Sequence, residues 1–119
     1  MFNRKTYNQI HNKTPEAKAS RKKYAQSQKG KAWWRNHQLV KLYGITAKEF
    51  DDMFAVQGSR CKACGSLTSR HKHHWNVDHD HKTGKVRGIL CWPCNAALGM
   101  VQDNSQQLRQ LADYLERNG

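Results

Sequence analysis

Four cysteines, Cys61, Cys64, Cys91 and Cys94, form two C-x-x-C pairs separated by 26 residues, and the segment between them holds the run Asp78-His79-Asp80-His81. A C-x-x-C turn presents two sulfurs to one ion, so two such turns brought together supply the four ligands of a tetrahedral zinc site. Three readings of the thiols compete: zinc ligands in a reducing compartment, disulfides in an oxidising one, or free thiols. A redox dithiol needs only one C-x-x-C and a βαβ setting, and neither fits. The opening residues MFNRKTYNQIHNK lack the apolar core of a signal peptide, and no run of about 18 apolar residues occurs that would span a membrane. The expectation is a cytoplasmic, non-secreted protein with reduced cysteines on structural zinc. Such an ion would pin residue 61 beside residue 94 and turn everything between them into a closed loop.

A four-cysteine zinc site has no open coordination position and cannot itself be a catalyst. Asp78, His79, Asp80 and His81 therefore need a separate explanation. His71, His73 and His74 lack the fixed spacing of a metal site and read as a solvated loop within GSLTSRHKHH.

The elements that must position these residues follow from local patterns. Residues 75–79 and 85–90 are short and rich in Val, Ile or Trp, and the turn between them contains Thr83-Gly84, which predicts a β-hairpin. A helix starts near Cys94 and runs to Met100. A last helix over Ser105–Arg117 places Leu108, Leu111, Ala112 and Leu115 on one face, with Asp103, Asn104 or Ser105 as its cap. Ahead of the first cysteine pair, Thr46 and Glu49 have capping-box spacing and open a helix over 47–57. Phe50, Met53 and Phe54 share its core-facing side, and Gly58 ends it. The fold class is a small, zinc-stabilised α+β domain flanked by N-terminal and C-terminal helices.

The net charge is +12, and it is uneven: residues 1–35 carry ten Lys or Arg against one acid, Glu16. Such an imbalance matches a polyanion, nucleic acid first. The membrane surface is a poorer partner, because no basic helix has a broad apolar face. Thr14-Pro15-Glu16 is a good helix start, which predicts one helix over about 15–41 within a basic arm that is otherwise disordered or orders on a partner. Lys18, Arg21, Lys22, Lys23, Lys29, Lys31 and Arg35 are its candidate DNA contacts, joined by Arg87 of the hairpin. Trp33 and Trp34 could stack on bases, although tryptophan pairs more often anchor a helix to a core, and the anchor is the favoured reading.

The run DHDHKTGKVRGILCWPCNAALG, set between CKAC and CNAALG, resembles the phage recombination endonuclease VII family, a branch of the HNH or His-Me finger nucleases. The resemblance covers residues 61–99 closely, and GITAKEFDDMFAVQGSRC is similar to the family's lead-in. It implies a ββα-metal finger held by the four-cysteine zinc knuckle. It assigns Asp78 and Asn95 as ligands of Mg2+ or Mn2+ and His79 as general base. The residues themselves leave two readings for the rest: His81 could contact the scissile phosphate or support that base and Asp80 could orient a neighbour, or both simply form the turn. It implies a metal-dependent DNA endonuclease leaving 5′-phosphate and 3′-hydroxyl ends. One departure stands out: a junction-resolving member carries glutamate three residues after the asparagine, where this chain has Leu98. The expected organisation is a basic helical arm for DNA binding over 1–44 and the finger with its C-terminal helix over 45–119. The rival reading is a catalytically silent zinc module that only binds nucleic acid.

Overall fold

The computed structural model describes residues 2–70 and 74–119, so His71 and His73 lie outside the described residues. Among the described residues the protein is a small α+β chain of six helices and one two-stranded sheet, divided into two compact units, Met1–Ala47 and Lys48–Gly119.

The first unit is helical. α1 (Arg4–His11) is capped by Asn3, whose side chain accepts from the Thr6 N–H at 3.1 Å. The single helix expected over 15–41 is instead two, α2 (Pro15–Gln26) and α3 (Gln28–Tyr43). The start is as expected, with Thr14 accepting from the Ala17 N–H at 3.2 Å and Pro15 behind it. The break falls at Ser27, which adopts extended backbone and accepts from the Gly30 N–H, so it caps α3. Gly30 explains why the turn can be so tight. It is buried, and a Cβ there would overlap the carbonyl oxygen of Tyr24. Only glycine lets α3 fold back onto the end of α2 at this distance. Gly44, at φ +71°, ends α3 by donating to Val40 O at 2.9 Å.

The second unit carries the hairpin. α4 (Ala47–Val56) ends in a Schellman turn: Gly58 sits at φ +76° and donates to Ala55 O, while Ser59 donates to Phe54 O. Phe54 packs on Trp75 with ring centroids 4.8 Å apart, so the apolar side of α4 faces the protein as expected. β1 (Asn76–His79) and β2 (Val86–Leu90) pair antiparallel, and α5 (Trp92–Met100) packs against β1. α6 (Ser105–Asn118) is capped by Asn104, which accepts from the Gln107 N–H at 3.0 Å. Its apolar face is largely solvent-exposed at Leu111 and Leu115.

The outer edge of β2 is covered by a side chain. The Gln57 carboxamide accepts from the Ile89 N–H at 2.9 Å and donates to Ile89 O at 2.8 Å, imitating a neighbouring strand. The Lys62 N–H donates to the same carbonyl at 3.1 Å. An open edge would template pairing with another chain, and these contacts close it. The core is small and rich in sulfur: Cys61, Leu90 and Cys91 form its centre, with Trp75, Cys94 and Leu98 packed around them.

Candidate metal centre and hairpin site

The thiol cluster is built from two turns. In the first, Gly65 at φ +76° donates to Cys61 O at 2.9 Å, and the Cys64 N–H points at Cys61 Sγ at 3.5 Å. In the second, Cys91 precedes α5 and Cys94 lies in its first turn, where Asn95 N–H donates to Cys91 O at 3.1 Å. All four Sγ atoms lie within 4.8 Å of one another. A tetrahedral zinc with Zn–S of about 2.3 Å requires sulfurs roughly 3.8 Å apart. Cys64 Sγ and Cys91 Sγ are 3.6 Å apart, close to that edge and far beyond the roughly 2 Å of a disulfide. The donor set therefore fits a metal such as zinc. Burial raises the Cys61 thiol, but N–H groups of Cys64, Cys91 and Ala63 outweigh it and bring its pKa down to about 6. Burial and the neighbouring sulfurs push Cys94 up.

Around the hairpin end the geometry is ionic. Pairing is regular from Asn76–Leu90 to Asp78–Gly88, then shifts so that His79 pairs with Val86. Arg87 is the extra residue of this bulge. In a regular ladder Arg87 would oppose His79 and point to the face away from Asp78; the bulge re-aims it. Its guanidinium grips Asp78 with two bonds of 2.8 Å, Nε to Oδ2 and Nη2 to Oδ1. Asp78 is only 8 % exposed, so this partner balances a buried charge. The hydrogen bonds to Asp78 hold the Arg87 proton more firmly than in water.

Asp103 enters the same site, although the sequence pattern offers it only as a helix cap. Asn104 takes that role, and Gln102 and Asp103, at φ +52° and +58°, turn the chain back toward the hairpin. Asp103 Oδ2 accepts from Arg87 Nη2 at 3.2 Å and lies 3.5 Å from His81 Nδ1. The residues Asp80, His81, Lys82, Arg87, Gln102 and Asp103 surround a cavity of about 430 Å³. The His81 ring lies 4.7 Å from that of His79, which is half-buried at the end of β1. Asp80 organises the turn: its carboxylate accepts from the N–H groups of Lys82 at 2.7 Å and Thr83 at 3.2 Å, which hold its pKa below the usual carboxylate range.

The expected residues are thus distributed as follows. Asp78, His79, His81 and Arg87 converge at the hairpin end, and Asn95 is half-buried on the helix packed against β1. Leu98 packs on the core around Cys61 and Leu90. Arg87, expected as a phosphate contact, has its guanidinium on Asp78 and Asp103. Lys18, Arg21, Lys22 and Lys23 on α2, with Lys29, Lys31 and Arg35 on α3, are all exposed. Trp33 and Trp34 are not a core anchor, being 54 % and 57 % exposed. No described helix is long and apolar enough to cross a membrane.

A four-thiol cluster that could hold a metal thus lies near a strand ending in Asp-His, and the comparisons with known proteins give the family. Residues 36–117 match the sequence profile described as recombination endonuclease VII, and the chain belongs to that family. It is similar to the Gene 59 protein of Mycobacterium phage D29, 42 % identical over 80 residues that cover 66 % of this chain and 48 % of the relative. The Gene 59 protein of Mycobacterium phage L5 is 40 % identical over 78 residues, covering 65 % and 47 %. The chain spans about half the length of these curated relatives. No solved structure matches it.

Proposed function

We propose that this chain is a phage-type, metal-dependent DNA endonuclease of the HNH or His-Me finger class. The observation that carries the reading is Asp78-His79 at the bulged end of a hairpin beside a four-thiol cluster, in a chain of the recombination endonuclease VII family. In this reading Cys61, Cys64, Cys91 and Cys94 hold structural zinc and the finger is of ββα-metal type. Asp78 and Asn95 offer a carboxylate and an amide oxygen, the donors a hard cation such as Mg2+ or Mn2+ takes. A carboxylate has about four lone-pair positions, so the two bonds from Arg87 leave Asp78 able to bind an ion as well. Once bound, the ion would stabilise charge on the phosphoryl oxygen and the departing 3′ oxygen.

The chain's own groups do the rest. His79 takes the proton of the attacking water, imidazole being the side chain most often used as a general base. His81, against the His79 ring, keeps that ring in place or meets the phosphate. Arg87 and Asp103 hold the Asp78 carboxylate in one orientation. Asn95 follows Cys94 directly, so the structural metal sets the position of the second oxygen donor. Residues 1–44 grip the duplex through Lys18, Arg21, Lys22, Lys23, Lys29, Lys31 and Arg35, with affinity that falls steeply with salt and carries little sequence information. Residues 45–119 cut.

The test is cleavage of supercoiled plasmid by zinc-loaded protein. Wild type with Mg2+ nicks or linearises the plasmid. Omitting Mg2+ or introducing His79→Ala abolishes this while zinc content and DNA binding stay near wild type. Equal cleavage by wild type and His79→Ala would overturn the assignment of the base.

A further inference from the structure

The α2–α3 hairpin carries an open apolar cavity of about 800 Å³, bounded by Arg21, Tyr24, Lys31, Trp33, Trp34 and Arg35. Its size lies in the range of sites that enclose small ligands, about 300–1,000 Å³. Tyr24, Trp33 and Trp34 are each more than half exposed, and contiguous exposed aromatic surface of this kind marks an interaction site. The ring of His37 extends the aromatic surface, stacked on Trp33 at 4.8 Å with 9° between planes. The cavity is fixed in shape by the close approach at Gly30 and the cap at Ser27.

Charge selects the occupant. Residues 1–47 contain eleven Lys or Arg and one acid, Glu16, and so hold +10 of the chain's +12. Aromatic faces framed by Arg21, Lys31 and Arg35 suit a ligand that joins flat apolar rings to a polyanionic backbone. In duplex DNA the base faces are covered by their neighbours, and only the backbone and groove edges are open. Unpaired bases expose their faces and stack on aromatic side chains whatever their sequence.

We propose that the α2–α3 cavity is a stacking site for the unpaired bases of a single strand. The inference rests on the endonuclease reading above. Its residues lie wholly in the first unit and include none of the proposed cleavage machinery.

The experiment compares binding of the zinc-loaded full chain to a fluorescent oligo-dT strand and to a blunt duplex of equal length at one salt concentration. Trp34→Ala is expected to weaken strand binding roughly 5- to 150-fold, the effect of losing one stacked base. Duplex binding, which depends on phosphate contacts, should stay within about twofold. Trp34→Phe keeps an aromatic face and should restore most of the strand affinity. Wild-type protein irradiated on a strand carrying 5-iodouracil should crosslink at Tyr24, Trp33 or Trp34, which needs no variant to fold. Crosslinks confined to other residues, or equal loss on strand and duplex, would overturn the stacking site and leave DNA binding intact. If wild type binds neither DNA, the endonuclease reading falls with it.

Discussion

Arg87→Gln tests the site at its most charged point. The substitution removes both 2.8 Å bonds to Asp78 and the 3.2 Å bond to Asp103. Breaking a fully buried pair costs about 3–5 kcal/mol, and an exposed one about 0.2–1 kcal/mol. Here the Asp78 side chain is 10 % exposed but that of Arg87 is 37 %, so water screens one end. The expected loss is therefore intermediate, about 2 kcal/mol, which corresponds to a fall in Tm of roughly 5–10 °C for a chain of this size. The variant also leaves the Asp78 carboxylate without a competing cation. If Asp78 is the Mg2+ ligand, Mg2+ at ten times its Kd should return about 1.4 kcal/mol. The shift in wild type should be smaller, because the ion there shares the carboxylate with Arg87. Thermal unfolding of zinc-loaded wild type and variant across an MgCl2 titration measures both effects, with NaCl at matched ionic strength to remove screening. Asp78→Asn should lose the Mg2+ shift. A variant melting within about 1 °C of wild type would refute the energetic argument. Equal Mg2+ shifts in wild type and Arg87→Gln would refute Asp78 as the shared ligand.

Three further outcomes follow from the packing. Cys94→Ser, or strong chelation, should take zinc content from one per chain to none and abolish the near-ultraviolet signal of the second unit, because metal binding and folding are one equilibrium in such fingers; elemental analysis with circular dichroism reads both. Gly30→Ala should cost about 1–3 kcal/mol by forcing α3 away from the Tyr24 carbonyl, lowering DNA affinity without changing zinc content. Gln57→Ala should destabilise by about 1–3 kcal/mol, because Ile89 loses both of its carboxamide partners at the edge of β2. Gln57→Glu keeps the acceptor, loses the donor, and should fall between the two in chemical denaturation.

Features that depend on near neighbours were legible in the sequence. The strands expected at 75–79 and 85–90 appear as Asn76–His79 and Val86–Leu90, and the helix expected over 47–57 as Ala47–Val56, stopped by Gly58. Residues 61, 64, 91 and 94 come together as their spacing suggests. What was hidden depends on contacts between distant residues. The helix expected over 15–41 is rich in Ala, Lys, Arg and Gln, and a single Ser or Gly within such a run is tolerated, so propensity alone did not mark a break at Ser27. The break depends on what the glycine at position 30 meets. Asp103 looked like one of three equivalent caps, and only the left-handed pair Gln102-Asp103 assigns the cap to Asn104 and frees Asp103 for Arg87. The bulge at Arg87 shifts the face on which that side chain lies, which no alternating pattern encodes. Trp33 and Trp34 misled because tryptophan's usual place is a core, whereas these two face water.

The centre of the second unit is made of sulfur as much as of hydrocarbon. Cys61 and Cys91 are nearly inaccessible, while Cys64 stands at the surface of the same cluster. An oxidant therefore meets the cluster most readily at Cys64. Converting the Cys64 thiol to a sulfenic acid would add a polar oxygen beside Cys91 Sγ, only 3.6 Å away, and remove a metal ligand in the same event. In a core filled with methylene groups such damage would have to unfold the protein first. Here it can begin at the surface, at the exposed Cys64.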